Sequence, residues 1–301
     1  MSGITGATGV RTLAEGFAFL ECPRWHDGLL WVSDMHRDQV VAINLAGEVE
    51  KLIEIPGRPG GLGWLPDGSL LVVATLDRKI LRLDGDALTV HSDLTSIGVT
   101  DHELNDMTVD ALGRCFVGEF GVDVHEWSAL NMPRVEHEGL DVLGEVPLPE
   151  AAVFIVEPDG TPRVAAGGLR FPNGSAVSAA LDRYVVAESF GLRLSEYDIA
   201  NGALSSRRIH DLGFVPDGIS QMDAEGAVWV SDPFYKAARR VDPSGRITDS
   251  VQFDSIVYAC ELGGAEGRTL FACLASSANP AETIHLLDSH IAIAKVDVPI
   301  G

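Results

Sequence analysis

The sequence is short of positive charge. Its 301 residues include 22 lysines and arginines against 44 aspartates and glutamates, which gives a formal net charge of −22. A surface this negative repels the phosphates of nucleic acids and the headgroups of anionic membranes. We therefore expect neither nucleic acid nor membrane among the partners, and any site that takes an anion needs a local cation.

Cysteine is scarce, and long apolar runs are missing. The four cysteines contain no pair at C-x-x-C spacing, which argues against a structural zinc cluster. No apolar run reaches the roughly 18 residues that span a bilayer, and the first residues lack the basic and apolar segments of a signal peptide. These absences predict a cytoplasmic protein with free thiols. For its assembly we expect a monomer or a small homo-oligomer.

Convincing helical signals are absent too, because no long stretch keeps a 3.6-residue period between two caps. A short unit recurs instead: a turn with Asp or Gly, an apolar run, and then a small or acidic residue. The central residues of its six copies are Trp31, Leu71, Phe116, Val185, Trp229 and Leu270. The intervals between them are 40, 45, 69, 44 and 41 residues. Such runs, rich in β-branched and aromatic residues, are typical of strands.

Six units of this kind predict an all-β protein, a six-bladed β-propeller, with residues 1–301 forming a single domain. Stacked blades bury the sheet faces that one unit alone would expose. A large β-sandwich or two small β domains are the alternatives, but neither needs a regular period. The long interval contains an insertion at about residues 121–150. A lid or binding loop and a solvated hairpin extension are both compatible with its acidic sequence.

The first strand of each propeller blade lines the central channel, and here it would lie about ten residues before the apolar run. That place is taken in the six units by Glu21, Gly60 and Gly61, Asn105, Asn173, Asp217 and Glu261. Four carboxylate and amide side chains that meet at one axis are crowded without a cation, and hard oxygen ligands favour Ca²⁺, Mg²⁺ or Mn²⁺. Taken singly, each is better explained as a turn or cap residue, and only the recurrence of four in phase favours a cation site.

Four segments resemble the gluconolactonase / SMP-30 (regucalcin) family of six-bladed propeller lactonases. They are LECPRW (20–25), LNDMTVDALGR (104–114), FPNGSAVSAALDRYVVAES (171–189) and PDGISQMDAEGAVWVSD (216–232), in the family's order. The resemblance implies a hydrolase that opens a small-molecule lactone and holds one divalent metal ion. Ca²⁺ is the first expectation, with Mn²⁺, Mg²⁺, Zn²⁺ and Fe²⁺ as alternatives. The implied ligands are Glu21, Asn173 and Asp217, with Asn105 beside them.

The resemblance also implies a mechanism. The metal would polarise the lactone carbonyl, acidify a water and stabilise the oxyanion. Asp217 would be the general base that moves the proton. No G-x-S-x-G motif is present to support a serine nucleophile instead. A propeller that binds a metal or small ligand without catalysis stays open as an alternative, as does a metal-dependent esterase or phosphotriesterase.

Two features depart from the family pattern. Glu103 stands where the animal lactonases carry an arginine, two residues before the asparagine of the ND pair, and this changes which polar or anionic group would bind. The segment from PDG to DAEG is one residue longer than usual, which a β-bulge would absorb. Besides Asn105, the candidate substrate-binding residues are Glu103, His102, His36 and Phe120.

Overall fold

A computed structural model describes residues 9–98, 101–147 and 150–301 of the chain. The described strands form six antiparallel sheets around one axis, a six-bladed β-propeller, which confirms the predicted all-β class. The recurring apolar runs are the second strands of the blades, counted outward from the channel. Their six central residues are all buried, as expected of strands that are covered on both faces.

The first described strand is β1 (Arg11–Phe17). Blade one consists of β2 (Leu20–His26), β3 (Leu29–Asp34), β4 (Gln39–Ile43) and β5 (Val49–Glu54). Blade two consists of β6 (Pro59–Trp64), β7 (Leu70–Ala74), β8 (Lys79–Asp84) and β9 (Ala87–Asp93). Blade three consists of β10 (Leu104–Val109), β11 (Cys115–Glu119), β12 (Ala151–Val156) and β13 (Pro162–Leu169). Blade four consists of β14 (Pro172–Val177), β15 (Arg183–Glu188), β16 (Arg193–Ala200) and β17 (Ala203–Asp211). Blade five consists of β18 (Val228–Asp232), β19 (Ala237–Val241) and β20 (Ile247–Gln252). Blade six consists of β21 (Ile256–Gly263), β22 (Thr269–Ala275) and β23 (Ser289–Lys295), with β1 as its outer strand.

The ring is closed by strands from distant parts of the chain. β1 pairs antiparallel with β23, with Arg11 opposite Ile293 and Phe17 opposite Ser289. Blade six therefore takes its outer strand from the beginning of the chain and its other three strands from the end. This pairing covers a sheet edge that would otherwise expose its backbone hydrogen-bonding groups.

Blade five departs from the other blades at the channel. The segment that contains Asp217 makes only an isolated bridge to β18, between Ile219 and Val230. The Asp217 amide still donates to the Ser231 carbonyl (3.1 Å). The extra residue of this segment therefore does not form the expected β-bulge within a regular strand, because no regular strand forms there.

The core lies between neighbouring blades rather than inside any one of them. Leu71 and Val73 of blade two, for example, pack with Met107 and Phe154 of blade three. Trp25 of blade one stacks on Phe271 of blade six, with ring centroids 5.3 Å apart. Each fully buried large apolar side chain contributes about 1.5–3 kcal/mol to the stability of this stacked arrangement.

The expectation of no convincing helices is wrong. The insertion contains α1 (Val124–Glu138) and α2 (Val142–Glu145), and α3 (Pro280–Leu286) lies between β22 and β23. The Asp123 side chain caps α1 by accepting from the Glu126 amide (2.9 Å). Pro133 inside α1 and the small difference in hydropathy between its faces hid the helical period. The insertion is therefore not a solvated hairpin. No helix of the described residues is long and apolar enough to cross a membrane.

Candidate functional site

A shared irregularity marks one end of the channel. In each of the five blades whose inner strand is regular, that strand shifts register by one residue near its start. The shifts fall between Glu21 and Arg24, Pro59 and Leu62, Leu104 and Met107, Pro172 and Ser175, and Val257 and Ala259. An extra residue of this kind is a β-bulge, which re-aims side chains and is common beside active sites. Glu21, Asn105 and Asn173 all lie at or within these bulges.

Asn105, Asn173 and Asp217 come together at this end of the channel. The Asn173 Nδ2 donates to Asp217 Oδ1 and to the Ser189 hydroxyl (3.2 Å). The Asn105 Nδ2 donates to the carbonyl of Pro172, the residue before Asn173 (3.2 Å). Both asparagine side chains are buried, so their amide groups need partners such as these.

Glu21 and Asp217 are two partly buried carboxyl groups that repel each other. Burial raises the pKa of Asp217 to about 7; Asp106 acts in the same direction, and the hydrogen bond from Asn173 opposes it. Burial also raises the pKa of Glu21 well above its usual range, and the Asp217 carboxylate adds to the rise. Two such groups are stabilised either by protons or by a cation between them.

The donor set fits a divalent cation by its chemistry. Glu21 and Asp217 supply hard carboxylate oxygens, and Asn173 supplies an amide oxygen if its amide is turned so that Oδ1 rather than Nδ2 faces the ion. Arg24, the cation that lowers the pKa of Glu21, is already paired with Asp106. In the described part of the chain, no group of three or more His, Cys, Asp or Glu side chains is placed to hold a metal. A metal site here therefore needs the amide oxygen of Asn173 as a ligand in addition to the two carboxylates.

Glu261 does not belong to this cluster, although the spacing pointed to it. Its Oε2 lies 3.9 Å from Arg24 Nη1, and its Oε1 accepts from the Gln221 and Leu262 amides (3.0 and 2.7 Å). Burial raises the pKa of Glu261 to about 7, and Arg24 opposes the rise. Arg24 Nη2 also binds Asp106 Oδ1 at 2.9 Å. Arg24, Asp106 and Glu261 thus form a buried ion cluster of their own.

A large cavity opens at the opposite end of the channel. It has a volume of about 1070 Å³, and its lining includes Arg24, Trp64 and Gln221. The residues with convergent polar atoms lie at the other end, where Glu21 and Asp217 have raised pKa values. Groups perturbed by burial and by a specific charged neighbour are typical of functional sites. We therefore take the Glu21 end of the channel as the candidate site.

Comparison with known proteins establishes the relationship of the chain. The sequence profile of the SMP-30/gluconolactonase/LRE-like region matches residues 19–276. The chain belongs to this family. A sequence comparison with curated proteins finds no match.

Solved structures in the comparison share the fold of this chain. A luciferin-regenerating enzyme has a TM-score of 0.77 at 17% identity, covering 97% of each chain. A calcium-binding protein, regucalcin, from Agrobacterium tumefaciens has a TM-score of 0.77 at 16% identity, covering 100% of this chain and 98% of that one. A gluconolactonase from Xanthomonas campestris has a TM-score of 0.70 at 19% identity, covering 96% and 89%. At these identities the likeness shows the fold alone.

Glu103, the departure from the SMP-30/gluconolactonase pattern, is paired with an arginine from the neighbouring blade. Its Oε2 lies 3.2 Å from Arg58 Nη1, and its carbonyl accepts from the Phe120 amide (2.9 Å). Nothing in the sequence signalled Arg58, because the contact joins residues 45 positions apart. The carbonyl of the adjacent His102 accepts a hydrogen bond from Arg78. The rim next to Asn105 thus carries a cation as well as an acid.

His36 lies on the side of the site formed by blades one and six. Its Nδ1 is 2.6 Å from the hydroxyl of Thr283 in α3, and its ring stacks on Phe19 at 4.7 Å. Phe19 in turn packs edge-on against Tyr258 at 4.9 Å. Because Phe19 lies two residues before Glu21, this arrangement positions His36 beside the cluster rather than within it.

The insertion of this family member packs beside Asn173 through a stack of aromatic rings. Phe120 stacks on Phe171 (5.0 Å), Phe171 on Phe190 (4.6 Å), and Phe190 on Trp127 of α1 (3.9 Å). Phe120 is half-buried at the end of the stack, whereas the other three rings are buried. Arg170 adds a polar clamp by donating to the carbonyl of Leu143 in α2 (2.7 Å). The helices therefore cover one side of the channel end that contains the candidate site.

Proposed function

We propose that this protein is a divalent-metal-dependent hydrolase that opens a small lactone. The observation that carries the proposal is the meeting of two mutually repelling, partly buried carboxyl groups, Glu21 and Asp217, with Asn173 and Asn105 at one end of the channel. A propeller needs no such group of side chains for its own stability. Membership in the SMP-30/gluconolactonase family supports the lactonase class.

Glu21, Asn173 and Asp217 would hold the ion. Their oxygens are hard ligands, which favours Ca²⁺, and a similar fold is described as that of a calcium-binding regucalcin. Mn²⁺, Mg²⁺, Zn²⁺ and Fe²⁺ are the alternatives. When bound, a divalent ion supplies Lewis-acid polarisation of a carbonyl and lowers the pKa of a bound water.

Asp217 is the residue that we assign as general base. The pKa of about 7 holds without the ion; a bound divalent cation would lower it, so Asp217 can act as base only through a carboxylate oxygen that stays free of the ion. Without metal, the hydrogen bond from Asn173 orients one carboxylate oxygen of Asp217; with the Asn173 oxygen on the ion, the shared ion would orient Asp217 instead. Asn105, held by the Pro172 carbonyl, would position the lactone beside it.

The rim favours small, neutral lactones. The Glu103 carboxylate is partly balanced by Arg58, so this part of the rim presents neither an isolated acid nor an isolated base. Phe120 adds an apolar edge, and His102 and His36 lie nearby on opposite sides. We therefore expect uncharged lactones to bind better than anionic ones, which the overall negative charge also repels.

The metal requirement is tested by removing all metal and measuring acid release on aldono-, aliphatic and aromatic lactones. Ca²⁺, Mn²⁺, Mg²⁺, Zn²⁺ and Fe²⁺ are then added back one at a time. We expect turnover to appear with at least one ion, because a carbonyl needs polarisation before water attacks it. The control is Glu21→Gln, which removes one implied ligand charge and should not recover with any ion.

The outcomes separate the functional classes. Stoichiometric metal binding without turnover on any lactone would contradict the hydrolase and favour a metal-binding propeller. Turnover on a phosphotriester or an open-chain ester but on no lactone would retain the metal site and reject the lactonase. Full activity of metal-free protein would reject the metal altogether.

A further inference from the structure

Tyr258 occupies the blade-six position that corresponds to the site residues of the other blades. The register shift of β21 falls between Val257 and Ala259, so Tyr258 is itself the bulged residue. The count along the chain matches two of the site residues: Asn173, Asp217 and Tyr258 each lie twelve residues before the central residue of their apolar run, whereas Glu21 and Asn105 lie ten and eleven before theirs. Tyr258 thus joins the ring of side chains at the candidate site.

The backbone around Tyr258 is fixed without help from its side chain. The Tyr258 carbonyl accepts from the Gly218 amide (2.9 Å) and from the Ser231 hydroxyl (2.7 Å). Gly218 directly follows Asp217, so this bond joins the strand of Tyr258 to the segment of the proposed base. The aromatic ring is held by its edge-on contact with Phe19.

The Tyr258 side chain is half-buried, and its charged neighbours are carboxylates. No hydrogen bond to its hydroxyl is found among the described residues, whereas Asp217, Glu21 and Asp288 lie close enough to act on it electrostatically. Burial raises the pKa of Tyr258, and these three carboxylates raise it further. The phenol therefore stays protonated at neutral pH, so it serves as a hydrogen-bond donor and not as a base.

We propose that the Tyr258 hydroxyl donates a hydrogen bond to the substrate oxygen on which negative charge develops during ring opening. This inference rests on the proposed function, since it assigns a hydrogen-bond donor to the same site. The proton stays on the phenol, and no bond to Tyr258 forms or breaks. A donor aimed at the developing charge lowers the barrier because its orientation is set beforehand.

Tyr258→Phe removes the hydroxyl and keeps the ring contact with Phe19. With metal and a turned-over lactone, kcat should fall about 100-fold, the effect of losing one oxyanion donor. The metal Kd, measured by calorimetry, and KM should stay within about threefold of the wild-type values, because neither metal nor ground-state binding uses this donor. Tyr235→Phe, on an exposed tyrosine of blade five, is the matched control and should change none of these values.

A second measurement does not depend on turnover. Methylphosphonate is a tetrahedral oxyanion, and calorimetric titration into metal-loaded protein reports oxyanion binding directly. Its affinity should fall about tenfold in Tyr258→Phe, as expected for the loss of one hydrogen bond to a charged group. If the wild type opens no lactone but this difference is observed, the lactonase fails and the Tyr258 donor stands.

Four results would overturn the inference. The first is an unchanged kcat in an active Tyr258→Phe variant. The second is a metal Kd weakened more than about tenfold, which would make Tyr258 a metal ligand. The third is equal methylphosphonate affinity in both proteins, or no binding by the wild type. The fourth is loss of the fold, which would give the hydroxyl a structural role.

Discussion

Asp217→Asn should lower the rate of lactone opening about 1000-fold while the propeller stays folded. The substitution keeps the shape of the side chain and its contact with Asn173, but it removes both the ligand charge and the proton acceptor. Loss of a general base alone costs about 100- to 10,000-fold. The measurement is kcat/KM on the best lactone at saturating metal, together with the metal Kd. Asp254→Asn, on an exposed aspartate, is the control and should leave both values unchanged.

The same variant makes a thermodynamic prediction for the metal-free protein. The pKa of Asp217 is raised to about 7 in the folded state, so its favourable contribution is complete at low pH and is lost as pH rises through that value. Asparagine cannot ionise. Metal-free Asp217→Asn should therefore lose less stability between pH 5 and pH 8 than the wild type, as measured by urea unfolding.

Two results would count against the role of Asp217. An active variant with wild-type metal affinity would remove Asp217 from the site. An inactive variant that unfolds at low urea even when metal is absent would make the residue structural. The prediction is met only when activity and metal affinity fall together while the metal-free fold is retained.

Arg24→Met should destabilise the protein by about 3–5 kcal/mol, the usual cost of removing one partner from a buried ion pair. Arg24 joins Asp106 and Glu261 and donates to the Pro23 and Met107 carbonyls (2.8 and 2.6 Å). Methionine fills part of the volume but leaves both carboxylates without a cation. The free energy of unfolding from urea titration gives the value directly.

The destabilisation should depend on pH. Arg24 lowers the pKa of Glu261, which burial has raised to about 7, so without Arg24 this pKa rises further. A raised folded-state pKa means stability that is lost as pH increases. The gap between variant and wild type should therefore be larger at pH 8 than at pH 5. A gap that shrinks with increasing pH would contradict the assignment of Arg24 as the neutralising charge.

Arg134→Met is the control for this experiment. Arg134 pairs with Glu138 at 3.1 Å on the exposed face of α1, and about half of each side chain is accessible. Such a pair contributes at most about 1 kcal/mol. A similar loss of stability in both variants would show that the destabilisation by Arg24→Met does not come from the burial of its ion cluster.

The propeller could be predicted from the sequence because its cause is local and repeated. Each apolar run between glycine or aspartate turns makes a strand regardless of what lies far away, and the near-constant interval sets the number of blades. The helices of the insertion could not be predicted. Pro133 and a mixed surface weaken the period of α1, and its stability comes from packing Trp127 on Phe190, a residue in another blade.

The candidate site could be predicted only in part. Glu21, Asn173 and Asp217 follow from spacing and family resemblance. Glu261 was a wrong placement and Tyr258 was missed, because the count from the bulge to the apolar run is not constant: it is ten residues for Glu21 and twelve for Tyr258. Bulges are set by pairing between strands, which a count along one strand does not contain.

The sequence by itself determined the number of blades, the negative surface and the residue types able to bind a hard cation. Only the tertiary structure decided which of those residues meet and which charged groups lie beside them. Glu103 faces Arg58, and Glu261 lies beside Arg24 and not beside Asp217, because each contact joins separate blades. The raised pKa of Asp217 likewise arises from burial and from Asp106 on another strand. Such charge effects depend on distance in space, which the folded ring of blades sets.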